Sequence, residues 1–212
     1  LADQSGLKIA ICIPSGDSWN ALTAFTLMCL GITSSKKYAL LPATEIGNDP
    51  AQARNTIVRM AMGAGADYFL LVDADMVFPW DALDRLLAHN VDIVGVDYRK
   101  RKPPYETVGV YANGVIDPSW AKGLLEVEML GLGLVLVRRR VFETLKGPWF
   151  ARVWQQPATS PDNPDGFTTE DTWFFHHAKA AGFRAWCDMD LTREVSHWGQ
   201  TGIPWDFKAP SA

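Results

Sequence analysis

The chain has 212 residues, 48% of them hydrophobic and 21% charged, which suits one globular domain with a substantial core and excludes wholesale disorder. A formal net charge of -4 provides no global positive field for a nucleic acid, and three cysteines with no CxxC pair exclude a disulfide-stapled scaffold. No apolar run reaches the length of a membrane span and the first residues lack the layout of a secretion signal, so the expectation is a cytoplasmic protein without membrane insertion.

In chain order, residues 8–13 (KIAICI) predict a buried strand closed by Pro14-Ser15-Gly16. Asn20 caps a predicted helix running to about residue 31. Residues 38–41 predict a second strand that Pro42 ends or marks as an edge. Residues 50–65 predict a helix with Pro50 in its first turn and an apolar stripe through Ala53, Ile57, Met60, Ala61 and Ala64. The run YFLLV, residues 68–72, predicts a central strand that leads straight into Asp73-Ala74-Asp75. A helix over 79–89 and a buried strand over 91–96 follow. This alternation predicts an α/β fold with a mostly parallel central sheet flanked by helices.

The second half is less regular. Strands are expected over 106–111, 127–130 and 134–137, a short helix over 139–145, an extended segment over 149–153 and a Pro-rich loop over 155–166. Thr169 caps a predicted helix over 170–181, and residues 184–188 return to the sheet. With no repeat and no second core, residues 1–212 are expected to form a single domain.

Asp73 and Asp75 are the strongest chemical feature. In extended backbone, residues two apart point the same way, so both carboxylates can reach one site at the sheet's carboxyl edge. Carboxylate oxygens suit Mg²⁺ or Mn²⁺, and a dication there offsets charge on a diphosphate. The plain alternative is a pair of solvated aspartates that cap the next helix.

The stretch ARNTIVRMAMGAGADYFLLVDADMVFPWDALDRLL, residues 53–87, resembles the nucleotide-sugar glycosyltransferases of the GT-A fold, in particular the broad family-2-like group of bacterial and bacteriophage enzymes. That resemblance implies a nucleotide-sugar donor as co-substrate, with Mn²⁺ or Mg²⁺ as cofactor. It divides the domain into a nucleotide-binding half (8–97) and an acceptor-binding and catalytic half (98–198). It assigns Arg54 and Asn55 to the Ala-Arg-Asn element beside the donor, and Asp73 and Asp75 to the Asp-x-Asp motif that meets ribose, diphosphate and metal. A guanidinium at Arg54 has an independent chemical logic, because it donates paired hydrogen bonds to phosphate and keeps its charge.

By the same resemblance, Pro14, Ser15 and Asp17 receive the nucleotide and Glu45 approaches its base; each also suits an ordinary turn or strand end. Gly131 and Gly133 let the backbone approach the donor sugar. Thr169-Glu170-Asp171 looks like the family's Glu-Asp element, which implies Asp171 as general base in an inverting transfer and Glu170 beside it; two acids at a helix start also favour the helix dipole. His197 is the expected third metal ligand. The acceptor is a hydroxyl, and a modified nucleobase in DNA is one class the resemblance includes. Arg99–Lys100–Arg101–Lys102 and Arg138–Arg139–Arg140 are the local basic runs available for phosphate. Retention with the same donor site, nucleotidyl transfer and an inactive sugar-nucleotide-binding module remain as alternatives, and the oligomeric state is open.

Overall fold

The structure, a computed structural model, describes residues 6–16, 18–47, 49–101, 103, 105–112, 118, 120–154 and 166–198, together with the backbone of 202–204. Strands β1 (Lys8–Ser15), β2 (Ala39–Ile46), β3 (Tyr68–Val72), β5 (Ile93–Gly95), β6 (Val110–Tyr111), β7 (Leu124–Met129), β8 (Leu134–Arg138) and β11 (Ala185–Asp188) form an 8-stranded sheet in the order β2-β1-β3-β8-β5-β11-β7-β6. Two small ribbons stand apart from it. One pairs β9 (Val153–Trp154) with β10 (Phe167–Thr168), and the other orders β13 (Gly202–Pro204), β12 (Ser196–Trp198) and β4 (Met76–Val77).

The expectation of a mostly parallel sheet is corrected. β1 is parallel to β2 and β3, and β5 is parallel to β11. β8 runs antiparallel between β3 and β5, and β7 runs antiparallel between β11 and β6. Parallel neighbours need a crossover of about a dozen residues, usually a helix. No helix is described between β5 and β8, so nothing there carries the chain back to start a parallel partner. β8 is buried on both faces, and its apolar run LVLVR reads the same whichever way it points. It comes from the expected acceptor half and sits inside the expected nucleotide half, so the two halves share one sheet.

Alternate residues serve two cores. Ala10, Cys12, Phe69, Leu71, Val135 and Val137 face one layer, where helices α2 (Pro50–Gly63), α4 (Arg139–Leu145) and α5 (Glu170–Ala180) pack. Ile9, Ile11, Ile13, Leu70, Val72, Leu134 and Leu136 face the other, under α1 (Ala21–Ser34), α3 (Ala82–Ala88) and α6 (Met189–Thr192). The caps follow the sequence closely. Asn20 accepts from the Leu22 amide, Asp49 Oδ1 from the Ala51 amide, and the Thr169 hydroxyl from the Thr172 amide. Pro42 does not end β2. It sits inside it, which an edge strand tolerates because one side needs no ladder donor. Of the expected Pro-rich loop, residues 155–165 lie outside the described residues.

Candidate active site

β1, β2, β3, β5 and β11 all run in one direction, and the turns after β1, β2 and β3 open on the same edge. A cleft of about 600 Å³ lies there, of the size that takes small-molecule ligands. Pro14, Ser15, Gly16, Trp19 and Asn20 line one side, and Asp73, Asp75, Arg101, Glu170 and His197 another. Pro14, Ser15, Arg54, Asp73, Asp75, Glu170 and His197 are therefore brought together as expected. Ser15 accepts a 2.6 Å hydrogen bond from the Trp19 indole, which fixes that ring at the cleft wall. Asp17 lies outside the described residues. Glu45 lies in β2, in register with Pro14, and does not line the cleft.

Arg54 is the organising cation. Its residue is buried, and its guanidinium donates to Asp73 Oδ1 at 2.6 Å and to Glu170 Oε1 at 2.7 Å. One fork on α2 thus ties the end of β3 to the start of α5, reaching Glu170 across 116 residues of sequence from Arg54. Burial disfavours its charge, but Asp73, Asp171 and Glu170 outweigh that and raise the Arg54 pKa. The Arg54 donors expected to face phosphate are engaged in this structure by the carboxylates of Asp73 and Glu170.

Asn55 has a different job. Its Nδ2 donates to the carbonyls of Ala51 and Phe150 at 2.8 and 2.7 Å, and its Oδ1 accepts from the amides of Trp149 and Phe150 at 2.9 and 3.3 Å. It clamps the 149–150 backbone onto α2 and is absent from the cleft lining. Replacing Asn55 with Ala should lower unfolding stability by about 2–3 kcal/mol, because the backbone groups of Trp149 and Phe150 lose their partners. Urea denaturation measures this, and an unchanged midpoint would remove the clamp.

Asp75 and His197 face each other. Their nearest atoms, Oδ2 and Nε2, are 3.4 Å apart. The approach is built by β12 pairing with β4: His197 is in register with Met76, and the Trp198 amide donates to the Asp75 carbonyl at 2.8 Å. His197 Nδ1 lies 3.0 Å from the Arg99 carbonyl, which accepts only if Nδ1 carries the proton, so that Nε2 is the ring nitrogen turned towards Asp75. Burial pushes the Asp75 carboxyl up, but His197 and then Arg101 outweigh it and hold it below its ordinary value. Arg101 donates to Asp75 Oδ2 at 2.6 Å.

Asp171 sits behind this constellation and does not line the cleft; Glu170 does. Its Oδ1 is shielded from solvent and has no hydrogen-bond partner. Burial is the main cause that lifts its pKa, to about 7; Arg54 opposes the rise, Glu170 and Asp73 add to it, and the Leu132 amide bonds the carboxylate. Beside it lies Tyr98, a buried ring whose hydroxyl accepts from the Gly133 amide at 3.2 Å. A Cβ at Gly131 would stand 2.1 Å from that hydroxyl, so the close approach that glycine permits there is to Tyr98.

The basic runs are largely consumed by acids and carbonyls. Lys100 pairs with Glu106, Arg101 with Asp75, Arg139 with Glu143 and Arg140 with Asp92, while Arg138 donates to Tyr68 and Asn90. Sequence reasoning missed Asp97, whose carboxylate accepts from the Tyr98, Val108 and Gly109 amides and from the Tyr111 hydroxyl. It pins both ends of the segment that carries Arg101. Its only sequence signal was an acid directly after an apolar strand, GVD.

No protein-family model matches the chain, and no curated protein matches it. Among solved structures it is similar to the crystal structure of A197 from STIV, with a TM-score of 0.53 and 17% sequence identity over 97% of this chain and 98% of that one. That likeness concerns the fold.

Proposed function

We propose that the cleft is the donor site of a metal-dependent glycosyltransferase that moves a sugar from a nucleoside diphosphate sugar to a hydroxyl. The observation that carries this reading is the Asp75–His197 pair at the sheet's carboxyl edge, with His197 Nε2 3.4 Å from Asp75 Oδ2 and Nδ1 turned to the Arg99 carbonyl. Among the described residues no set of three or more His, Cys, Asp or Glu side chains converges on one point. The residues fit a dication held by two protein ligands, Asp75 and His197, with donor phosphates and water completing the shell, as Mg²⁺ and Mn²⁺ accept. Asp73 is drawn away by Arg54 and belongs to the donor-facing wall instead. The metal would supply charge neutralisation for the departing diphosphate.

The protein's own groups divide the remaining work. Pro14, Ser15 and Trp19 form the wall against which the nucleoside rests. Arg101 exchanges Asp75 for a phosphate oxygen when the donor arrives, since both are anions within its reach. Asp171 would accept the proton of the acceptor hydroxyl, a role that requires the acceptor to open a path to its Oδ1, which is shielded and without a partner in this structure. One observation favours a second reading: Asp171 lies outside the cleft lining, as a positioning group would in a retaining transfer. The anomeric configuration of the product, read by NMR, separates the two. Pairing within the basic runs takes away their local argument for DNA, so a modified nucleobase remains one acceptor class among hydroxyls.

The test incubates the full chain with Mn²⁺ and a panel of nucleoside diphosphate sugars and measures nucleoside diphosphate release. Release should require the metal and fall by about 100-fold or more in Asp75→Asn, in line with the loss of a ligand or its support. Pyrophosphate formed from a sugar phosphate and a nucleoside triphosphate would instead identify a nucleotidyltransferase. Donor binding without turnover across acceptors would identify a binding module. Full metal-dependent activity in Asp75→Asn would remove Asp75 from the site.

A further inference from the structure

Helix α1 is built inside out. Its fully buried positions are Thr23, Thr26, Leu30 and Ser34, so Leu30 is the one large apolar residue among them, with Leu27 partly buried against the same core. Its outward positions are Leu22, Phe25, Met28 and Ile32, which are 42%, 59%, 54% and 58% exposed. Trp80, 56% exposed, extends the same large apolar exposure at the turn before α3. Thr33 Oγ1 lies 3.4 Å from the Trp80 carbonyl, which places that turn against α1. A surface helix ordinarily shows the reverse distribution, with its apolar stripe on the core. No charged residue occurs between Ser18 and Ser35.

We infer that this stripe is the interface of a homodimer, in which α1 packs antiparallel against α1 of a second copy about a twofold axis near Met28. Three observations select that occupant. Ala21, Phe25, Met28, Ile32 and Ser35 recur at spacings of four and three, the seam that helix-on-helix packing uses. The seam carries no charge, so a twofold axis brings no like charges together. The five exposed side chains Leu22, Phe25, Met28, Ile32 and Trp80 present on the order of 500 Å² of apolar surface, given aromatic side chains of ~150–250 Å². That reaches the largest patches of ordinary monomers and approaches the ~800 Å² per partner of a stable complex. A bilayer surface would be favoured by surplus Lys and Arg around the stripe. Here Lys37 is paired with Asp84 at 2.5 Å and Arg85 with Glu194 at 2.8 Å, and the chain as a whole is acidic.

The chain supplies its own probe. Cys29 lies next to Met28 at the centre of the seam and is part-exposed, while Cys12 and Cys187 are buried. A bismaleimide whose reach matches the ~8–10 Å between packed helix axes should link two chains through Cys29. The experiment combines analytical ultracentrifugation of the full chain, from low to high micromolar concentration, with this crosslink and with flotation on phosphatidylcholine–phosphatidylglycerol vesicles. The expected result is a concentration-dependent dimer, a crosslinked dimer that disappears in Cys29→Ser, and a monomer in Phe25→Glu and in Ile32→Glu. Both variants should keep the wild-type melting curve of the monomer, because both side chains are more than half exposed. A wild type that stays monomeric throughout overturns the inference. If that monomer floats with vesicles, the stripe is a membrane-facing surface instead. A dimer that survives Phe25→Glu and Ile32→Glu also overturns it, since such a dimer uses another face.

Discussion

Replacing Arg54 with Met will lower unfolding stability by about 3–5 kcal/mol at pH 8, the cost expected when one member of a buried charge cluster is removed, and should abolish the proposed transfer. The size follows from what is left behind. Asp73 and Glu170 each lose a charge-assisted hydrogen bond of 2.6 and 2.7 Å, and Asp171 loses the one side chain that opposes the rise in its pKa. Arg54→Lys should restore little. A single ammonium on a flexible stem cannot reproduce a fork that reaches both β3 and α5. The pH dependence has a definite direction. Without Arg54, Asp171 binds its proton in the folded state to a pH above its present value of about 7. The penalty of the variant therefore shrinks as the pH falls and the cluster protonates, and it is largest in alkali. Urea unfolding of wild type and variant at pH 5 and pH 8 measures both quantities. Equal stability at pH 8 would show that the three acids do not depend on the guanidinium.

The elements that position this cluster were legible to very different degrees. α4 and α5 begin where their sequence signals place them, because Thr169 and the apolar periodicity are local instructions. The direction of β8 was not legible. A strand buried on both faces carries no polarity in its side chains, and its paired neighbours lie far away in sequence, as Ile93 is from Val137 and Tyr68 from Arg138. Arg54 shows the same limit at the level of one residue. Its position on α2 and its chemical type were readable, but its partners come from the ends of β3 and the start of α5, and only the closed sheet brings them together. His197 was placed by resemblance to a family, and the structural cause of its placement, the pairing of β12 with β4, left no periodic trace in so short a strand. Asn55 was ambiguous for a related reason. Its local i−4 bond to Ala51 is ordinary, and its function lies in the long-range clamp on Trp149 and Phe150. α1 is the opposite case. Its uncharged sequence fits a buried helix, and only the structure reveals that the apolar side faces outward.

Asp171→Asn should make the fold more stable and the protein less active, with the gain in stability growing as the pH rises. An aspartate in the unfolded chain titrates near pH ~3.9, whereas burial lifts Asp171 to about 7 in the folded state. Well below pH ~3.9 both states hold the proton and the residue costs nothing. Between these values the unfolded chain releases its proton while the folded one keeps it, so the wild type loses stability as the pH climbs. Above about 7 the loss is complete. Asparagine has the shape of the protonated acid and does not titrate, so the difference between variant and wild type should be small at pH 4 and reach about 1–3 kcal/mol by pH 8. The range is kept below a full conversion of the shift because the residue is only half-buried. The kinetic side has its own signature. If Asp171 takes the acceptor proton, the wild-type rate rises with pH to a plateau, with a midpoint near 7, and the variant loses about 10²–10⁴-fold with the midpoint gone. If Asp171 only positions substrate in a retaining transfer, the loss is smaller and a pH midpoint belonging to another group persists in the variant. If Asp171 is the base of the proposed transfer, it costs stability at the pH where it would work, because the burial that raises its pKa is also what the unfolded chain escapes.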